Sequence, residues 1–399
     1  MRFLQIHNYY RYRGGEDSMF EQICAVLRTH GHAVTTYTQR STDVQGSGKK
    51  LKAALTGVHS PRSEREVRRM LRWDRPDIAH VHNLYPLISP SVLRACSDEG
   101  IPIVMRCPNY RLVCPTGVLL RNGKPCELCV GGHEYRCALV NCRGNLLEST
   151  AIAGRSFLVR AFGMISKSVT RFIAPSQCVK QRLVQAGIDS ERIDVVPNMV
   201  PLPAVTVDPS HGEYVAFAGR LSAEKGLETL LDAARLIPHV PVRIAGNGEL
   251  LDSLQNSAPS NVTFMGHLRS DKLASFYAKA RLCVVPSIWL EAFGLVPAEA
   301  MAYGLPVVAS RMGALPEIVD HDSTGYLFEP GSPEQLAASI EQLWSDPQRC
   351  RDMGLTGREK VKLEYSRDVY YTRLMRVYEH VLEATESAYT EIRRTVHSV

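Results

Sequence analysis

No apolar run in this 399-residue chain approaches the ~20 residues that span a bilayer. The start, M-R-F-L-Q-I-H, lacks the apolar core of a secretory leader and reads as a first buried strand, so the default compartment is the cytoplasm. No G-x-G-x-x-G stands directly after a strand pattern, which argues against a dinucleotide oxidoreductase. Aromatic and basic residues do not interleave as in a nucleic-acid module, so no nucleic-acid partner is expected. There is no internal repeat and no low-complexity tract. The eleven cysteines are odd in number and lie in a long chain without a leader, which excludes a disulfide framework of the small secreted kind.

What is present is an ordinary soluble composition, 45% hydrophobic and 22% charged, with a modest formal charge of +6. Basic residues cluster from Arg62 to Arg75, and again at Arg155, Arg160, Lys167 and Arg171, which suits an anionic surface or ligand as well as a solvated face. Short β-branched runs alternate with amphipathic stretches, the pattern of a parallel sheet covered by helices. In the first half the strands fall near Arg2 to His7, Ala33 to Thr38, Ile78 to Val81, Pro102 to Arg106 and Arg171 to Ala174. Helices fall near Ser18 to His30, Ser89 to Glu99 and Leu147 to Ser168. A proline-rich stretch, 197–212, separates this domain (1–196) from a second alternation (213–367), and a helix-period segment, 368–399, closes the chain. Second-half strands are expected near Tyr214 to Ala218, Val242 to Ala245, Val262 to Met265, Leu282 to Val285, Pro306 to Ala309 and Gly325 to Phe328. The fold class is α/β, with two Rossmann-like domains whose carboxyl strand edges face one cleft.

The richest stretch is P-S-I-W-L-E-A-F-G-L-V-P-A-E-A-M-A-Y-G, from Pro286 to Gly304. A strand ends before it, Pro297 suits a first helical turn, and Gly304 suits the exit. The amides of Gly294, Leu295 and Val296, next to Phe293, are then aimed at a phosphate or sugar hydroxyl. Glu291 in the loop and Glu299 in the first turn each accept two hydrogen bonds, which fits vicinal hydroxyls of a sugar and of a ribose. Taken alone, Glu299 equally serves a helix dipole. A second motif, A-F-A-G-R-L-S-A-E-K-G from Ala216 to Gly226, ends a strand at Gly219 and sets Arg220 and Lys225 before a helix. Two cations there match the charge that accumulates on a leaving diphosphate. Gly246 in I-A-G-N-G-E and Leu268 in M-G-H-L end further strands at the same edge, where a base is expected.

With these motifs and R-G-G-E at Arg13 to Glu16, the sequence resembles glycosyltransferase family four, enzymes of the GT-B fold, over nearly its whole length. The resemblance implies that Arg220 and Lys225 hold the donor diphosphate, Glu291 the transferred sugar and Glu299 the ribose. It implies that Gly15, on the loop after the first strand, approaches the phosphates. The implied reaction is transfer from a nucleoside diphosphate sugar to a hydroxyl with retained configuration, the leaving phosphate helping to deprotonate the acceptor without a catalytic metal. No Asp-x-Asp accompanies the donor stretch. The terminal helix is expected to return to the first domain. The alternatives are a sugar phosphorylase or an epimerase on a related fold.

The first domain should receive a saccharide or lipid-linked saccharide acceptor, with His82, Asn109 and Arg111 beyond strand ends as candidates; a structural role for His82 weighs equally. A small soluble acceptor is the other reading. Relatives of the family carry histidine before the N-Y-R of Asn109 to Arg111; here Pro108 stands there. An insertion, 107–145, holds six cysteines, five of them between Cys114 and Cys142. Cys126 and Cys129 form a C-x-x-C knuckle that Cys114 and Cys142 complete as a structural zinc site, favoured over free thiols or a disulfide; a subset of similar transferases has cysteines in these places, with Cys137 supernumerary. The acid-free stretch from Ala151 to Phe172 places Leu158, Phe162, Ile165 and Val169 at helical spacing, either a core face or a peripheral contact with an anionic membrane.

Overall fold

The structure, a computed structural model, describes residues 1–11, 14–41 and 57–397. The chain divides into two compact units: 1–118, 127–196 and 370–399 form the first, and 119–126 with 197–369 the second.

In the first unit six strands, all parallel, form one sheet: β1 (Arg2–Tyr9), β2 (Ala33–Arg40), β3 (Ile78–Asn83), β4 (Ile103–Arg106), then, after a two-residue hairpin pair β5 (Leu120–Arg121) and β6 (Lys124–Pro125) that belongs to the second unit, β7 (Arg171–Ala174) and β8 (Ile193–Val195). Their order is β2-β1-β3-β4-β7-β8, so the winding reverses between β1 and β3. In open α/β sheets the crevice outside the carboxyl ends at such a reversal is where ligands bind. β3 is buried at every position, as a strand covered by helices on both faces requires. The terminal helix Arg367–His397 belongs to this unit from Tyr370 onward. Tyr378 donates to or accepts from His80 Nδ1 at 2.7 Å, and Tyr371 stacks on His30 with ring centres 3.6 Å apart.

The second unit repeats the architecture with β9 (Tyr214–Ala218), β10 (Val242–Ala245), β11 (Val262–Gly266), β12 (Ala280–Val285), β13 (Val307–Ser310) and β14 (Gly325–Phe328) in the order β11-β10-β9-β12-β13-β14. This is the doubly wound dinucleotide-fold order, reversing between β9 and β12. Alternation decides the packing: Tyr214, Ala216 and Ala218 enter one core, while Val215 and Phe217 enter the core on the other face. The proline-rich stretch packs within this unit, where the Val200 amide donates to the Tyr365 carbonyl at 2.8 Å.

Two elements depart from expectation. β8 is a three-residue edge strand too short to carry alternation. The expected helix Leu147 to Ser168 runs only from Leu146 to Ala161, because Gly163 takes a left-handed φ of 62° and breaks it. Ile165 and Val169 beyond the break are buried, whereas Leu158 and Phe162 are exposed, so the four residues do not share a face.

Candidate active site

The site of the second unit lies at its winding reversal. β9 runs into Gly219 and β12 into Pro286, adjacent strands whose carboxyl ends open onto one small cavity. Gly219, Lys225, Glu291, Gly294, Leu295 and Val296 all line it, as expected from two motifs about seventy residues apart in the chain. The helix Leu295–Tyr303 starts from Gly294, held at φ 92°, so its free amides face this space.

Lys225 Nζ lies 2.6 Å from Glu291 Oε1 and 5.3 Å from the centre of the Trp289 ring. Ser287 donates to the same carboxylate oxygen at 2.7 Å. Burial pushes the Glu291 carboxyl up, but the Lys225 charge and the hydrogen bonds from Lys225 and Ser287 outweigh it and hold the group below its ordinary value. Glu291 is therefore a fixed anion with one oxygen engaged. Glu299, one turn into the helix, has the opposite environment: burial without a neighbouring cation raises its carboxyl to about 7. No hydrogen bond or ion pair satisfies it among the described residues, and helix-terminal amides alone do not compensate.

Arg220 is largely exposed and pairs with Glu224 at 3.0 Å, which also accepts from Ser222. It is thus swung along the surface rather than held in the cavity. Gly246 sits where a Cβ would meet the Gly219 carbonyl at 1.8 Å, so its role is close packing beside the cavity. Leu268 is partly buried against the core, and the Phe293 ring is turned into that core against Tyr365. Phe293 therefore offers only its backbone, a correction to its expected place at the donor; an inward ring at a loop position is set by tertiary packing, which spacing does not encode. The chain's Asp-x-Asp, Asp320 to Asp322, is engaged by Lys360 at 2.7 Å and Arg349 at 3.2 Å.

Two contributors went unread in the sequence. Ser287 stands within the donor stretch but carries no charge to single it out. Gly313 lies under the Glu291 loop, where a Cβ would come within 2.3 Å of the Glu291 amide nitrogen, and the next amide, Ala314, donates to the Glu291 carbonyl at 2.8 Å. A glycine soon after a strand that ends in Ala309-Ser310 was the available signal.

In the first unit the assignments change more. His82 is 3% exposed, bonded through Nε2 to Gln5 Oε1 at 2.7 Å and packed 4.2 Å from the His80 ring. Burial holds its imidazole far below the usual range, so it is a neutral core histidine, and the acceptor-orienting role is withdrawn. Asn109 donates to Glu16 at 2.9 Å, and Arg111 reaches Asn83 Oδ1 at 3.1 Å at the end of β3. Gly15 is the first residue of the helix Gly15–Thr29 rather than a loop residue; Arg13 of its motif lies outside the described residues. The arginines from Arg62 to Arg75 are not a bare basic face, since Arg62 pairs with Glu66, Arg68 with Glu64 and Asp98, and Arg72 with Glu99.

Among the described residues, no group of three or more His, Cys, Asp or Glu is placed to hold a metal ion. Cys126 ends a hairpin segment that clusters with the second unit. Cys137, expected to be supernumerary, is instead central: it is buried with Cys129, hydrogen-bonded to Cys142, and near Cys114. Burial pushes its thiol to about 12. No disulfide joins these cysteines among the described residues.

Residues 14–199 match the family model described as glycosyl transferase 4-like domain, and residues 203–360 match that of glycosyl transferases group 1. A D-inositol 3-phosphate glycosyltransferase of Segniliparus rotundus is 33% identical over 221 residues, covering 49% of this chain and 49% of that protein. The chain spans about half the length of the curated relatives it matches. Among solved structures, sucrose-phosphate synthase of Thermosynechococcus elongatus superposes with TM-score 0.71 at 19% identity, over 96% of this chain and 99% of that one. An Anabaena protein in complex with UDP and glucose gives 0.66 at 19% identity, over 94% and 99%. These likenesses establish the fold, that of GT-B glycosyltransferases.

Proposed function

Proceeding from a chain that belongs to the glycosyltransferases pairing a 4-like domain with a group 1 domain, we propose that it transfers a sugar from a nucleoside diphosphate sugar to a hydroxyl with retained anomeric configuration. The observation that carries this reading is the Lys225 and Glu291 pair, 2.6 Å apart at the mouth of a helix N-terminus. When the glycosidic bond breaks, negative charge grows on the departing phosphate, and Lys225 and the amides following Gly294 are positioned to take it up. Glu291, fixed as an anion, accepts hydroxyls of the transferred sugar. Glu299 accepts the vicinal hydroxyls of a ribose, which supply the donors its carboxylate lacks. Arg220 leaves Glu224 for the diphosphate when the ligand arrives. The solved Anabaena relative is described with UDP-glucose, in keeping with a nucleotide-sugar donor here.

For the acceptor we favour a lipid-linked saccharide. Leu146, Leu147, Phe157 and Phe162, on and just beyond one helix of the first unit, are all at least half exposed, Leu147 at 83%. An exposed apolar row with Arg143, Arg160 and Lys167 on the same segment suits the headgroup boundary of an anionic membrane. No helix among the described residues is long and apolar enough to cross one. A thermal-shift panel of UDP, GDP, ADP and their sugar conjugates tests the donor reading, since a ligand selective for the folded state raises its stability. Stabilisation by one base series is expected; a flat response to all of them would refute it.

A further inference from the structure

The first unit contains a second cavity, of about 200 Å³, lined by residues that follow β3 and β4 and by the helix Leu146–Ala161. That is smaller than the ~300–1,000 Å³ of pockets that enclose drug-sized ligands, and fits a compact headgroup. Three guanidiniums line it, Arg111, Arg155 and Arg160, against one carboxylate, Glu134. Glu134 is taken by Arg160, which it holds in a two-point pair. Arg155 has no ion-pair partner among the described residues; it stacks on Tyr85, 4.2 Å from the ring centre. Among the described residues the Arg111 guanidinium bonds a neutral amide, Asn83 Oδ1, and lies over the Tyr10 ring.

Both charges are seated rather than free. Gly117, at φ +82°, leaves the room Arg111 occupies, since a Cβ there would meet the Arg111 Cγ at 2.7 Å. Arg155 lies on the Tyr85 face, two residues past the end of β3. Desolvation and the Arg111 charge both disfavour the charged Arg155. A desolvated Arg155 within electrostatic reach of Arg111, with the lining carboxylate already taken by Arg160, is what an anion site looks like before its ligand arrives.

We propose that this cavity binds a phosphate-type oxyanion carried by the acceptor, with Arg155 and Arg111 as its two guanidinium donors and the Ser156 and Ser166 hydroxyls on its wall. This rests on the glycosyl-transfer reading and narrows the acceptor to a phosphate or diphosphate ester, whether soluble or in a lipid headgroup.

The test uses the full chain with UDP or GDP at saturation, so that the phosphate cradle of the second unit is filled. Methyl phosphate is titrated by calorimetry into the wild type, Arg155→Met and Arg155→Lys. Saturable binding weakened at least tenfold by Arg155→Met and partly restored by Arg155→Lys, with nucleotide affinity unchanged, is the expected result. Flotation with phosphatidylcholine vesicles, with and without phosphatidic acid, separates the sources: Arg155-dependent capture only by the acid-containing vesicles assigns the site to a lipid headgroup. Equal binding by wild type and Arg155→Met in both assays, or binding in neither, overturns the proposal and leaves Arg155 as a stacking partner of Tyr85. If neither nucleotide binds while the Arg155-dependent phosphate response persists, the donor reading fails and the anion site stands.

Discussion

The cavity beside Glu291 and the cavity beside Arg155 both hold partly buried cations, but only in the first is each of them matched by a carboxylate. Lys225 is neutralised by Glu291 before any ligand binds, so a diphosphate entering there competes with a carboxylate already in place. Arg155 and Arg111 have no such partner among the described residues. The first arrangement keeps the unliganded fold stable and reserves the cation for charge that appears during reaction. The second leaves cations to be satisfied by a ligand that is anionic from the start.

The largest effect expected of this difference is at Lys225. Replacing it with Met removes the cation that meets the leaving phosphate, and turnover with the cognate donor should fall ~100–1,000-fold. It also strands a buried carboxylate, so stability should drop by about 3–5 kcal/mol in urea unfolding. Arg220→Ala should lower turnover without that stability loss, because its pair with Glu224 is exposed. Unchanged turnover in both variants would abolish the distinction between the cavities.

The first unit is sharpened by its exposed row. Leu147→Ser with Phe162→Ser should cut partitioning to vesicles rich in anionic lipid by roughly tenfold or more, since each side chain loses apolar burial at the interface. Binding that moderate salt also weakens is expected. Protein that stays in the supernatant at every salt concentration points instead to a soluble phosphorylated acceptor.

The contrast between the units also tracks what was legible in the sequence. In the second unit the strand ends at Gly219 and Val285 and the helix start at Gly294 were readable because local signals coincide: β-branched runs, glycine exits and Pro297. Most residues that follow those ends closely line one cavity, while Arg220 turns out along the surface. In the first unit the functional reading depended on facing, which local signals do not supply. His82 alternates within a strand buried on both faces, so position after an apolar run says nothing about exposure. The charges of the helix Pro61–Trp73 are only partly matched by its own Glu64 and Glu66, and the rest of the balance comes from Asp98 and Glu99, about thirty residues on. Arg155 and Tyr85 are seventy residues apart, and neither sits in a motif.

Glu299→Gln should be the gentlest of these changes in catalysis: donor affinity falls about tenfold, the worth of one charge-assisted hydrogen bond, while turnover at saturating donor holds.

A smaller, pH-linked effect separates the two carboxylates of the same site. Glu299 titrates near 7 in the folded, unliganded protein, against an ordinary value near 4.3 when unfolded. Between those values the folded state binds the extra proton, so its stability declines as pH rises through that window and levels off above about 7. Glu291 behaves oppositely: its carboxyl is depressed, so its contribution is present above the ordinary carboxylate range and is lost only as pH falls through its lowered value. Ribose hydroxyls donating to Glu299 favour its charged form and lower its value in the complex. Nucleotide binding at about pH 6 should therefore release a fraction of a proton, and affinity should weaken as pH falls below about 7 while staying flat above it. Calorimetry in two buffers of different ionisation enthalpy measures that proton, and Glu299→Gln should abolish it while flattening the pH dependence of the melting temperature between about pH 5 and 7. Proton release that persists in Glu299→Gln would assign the linkage elsewhere and remove the ribose from Glu299.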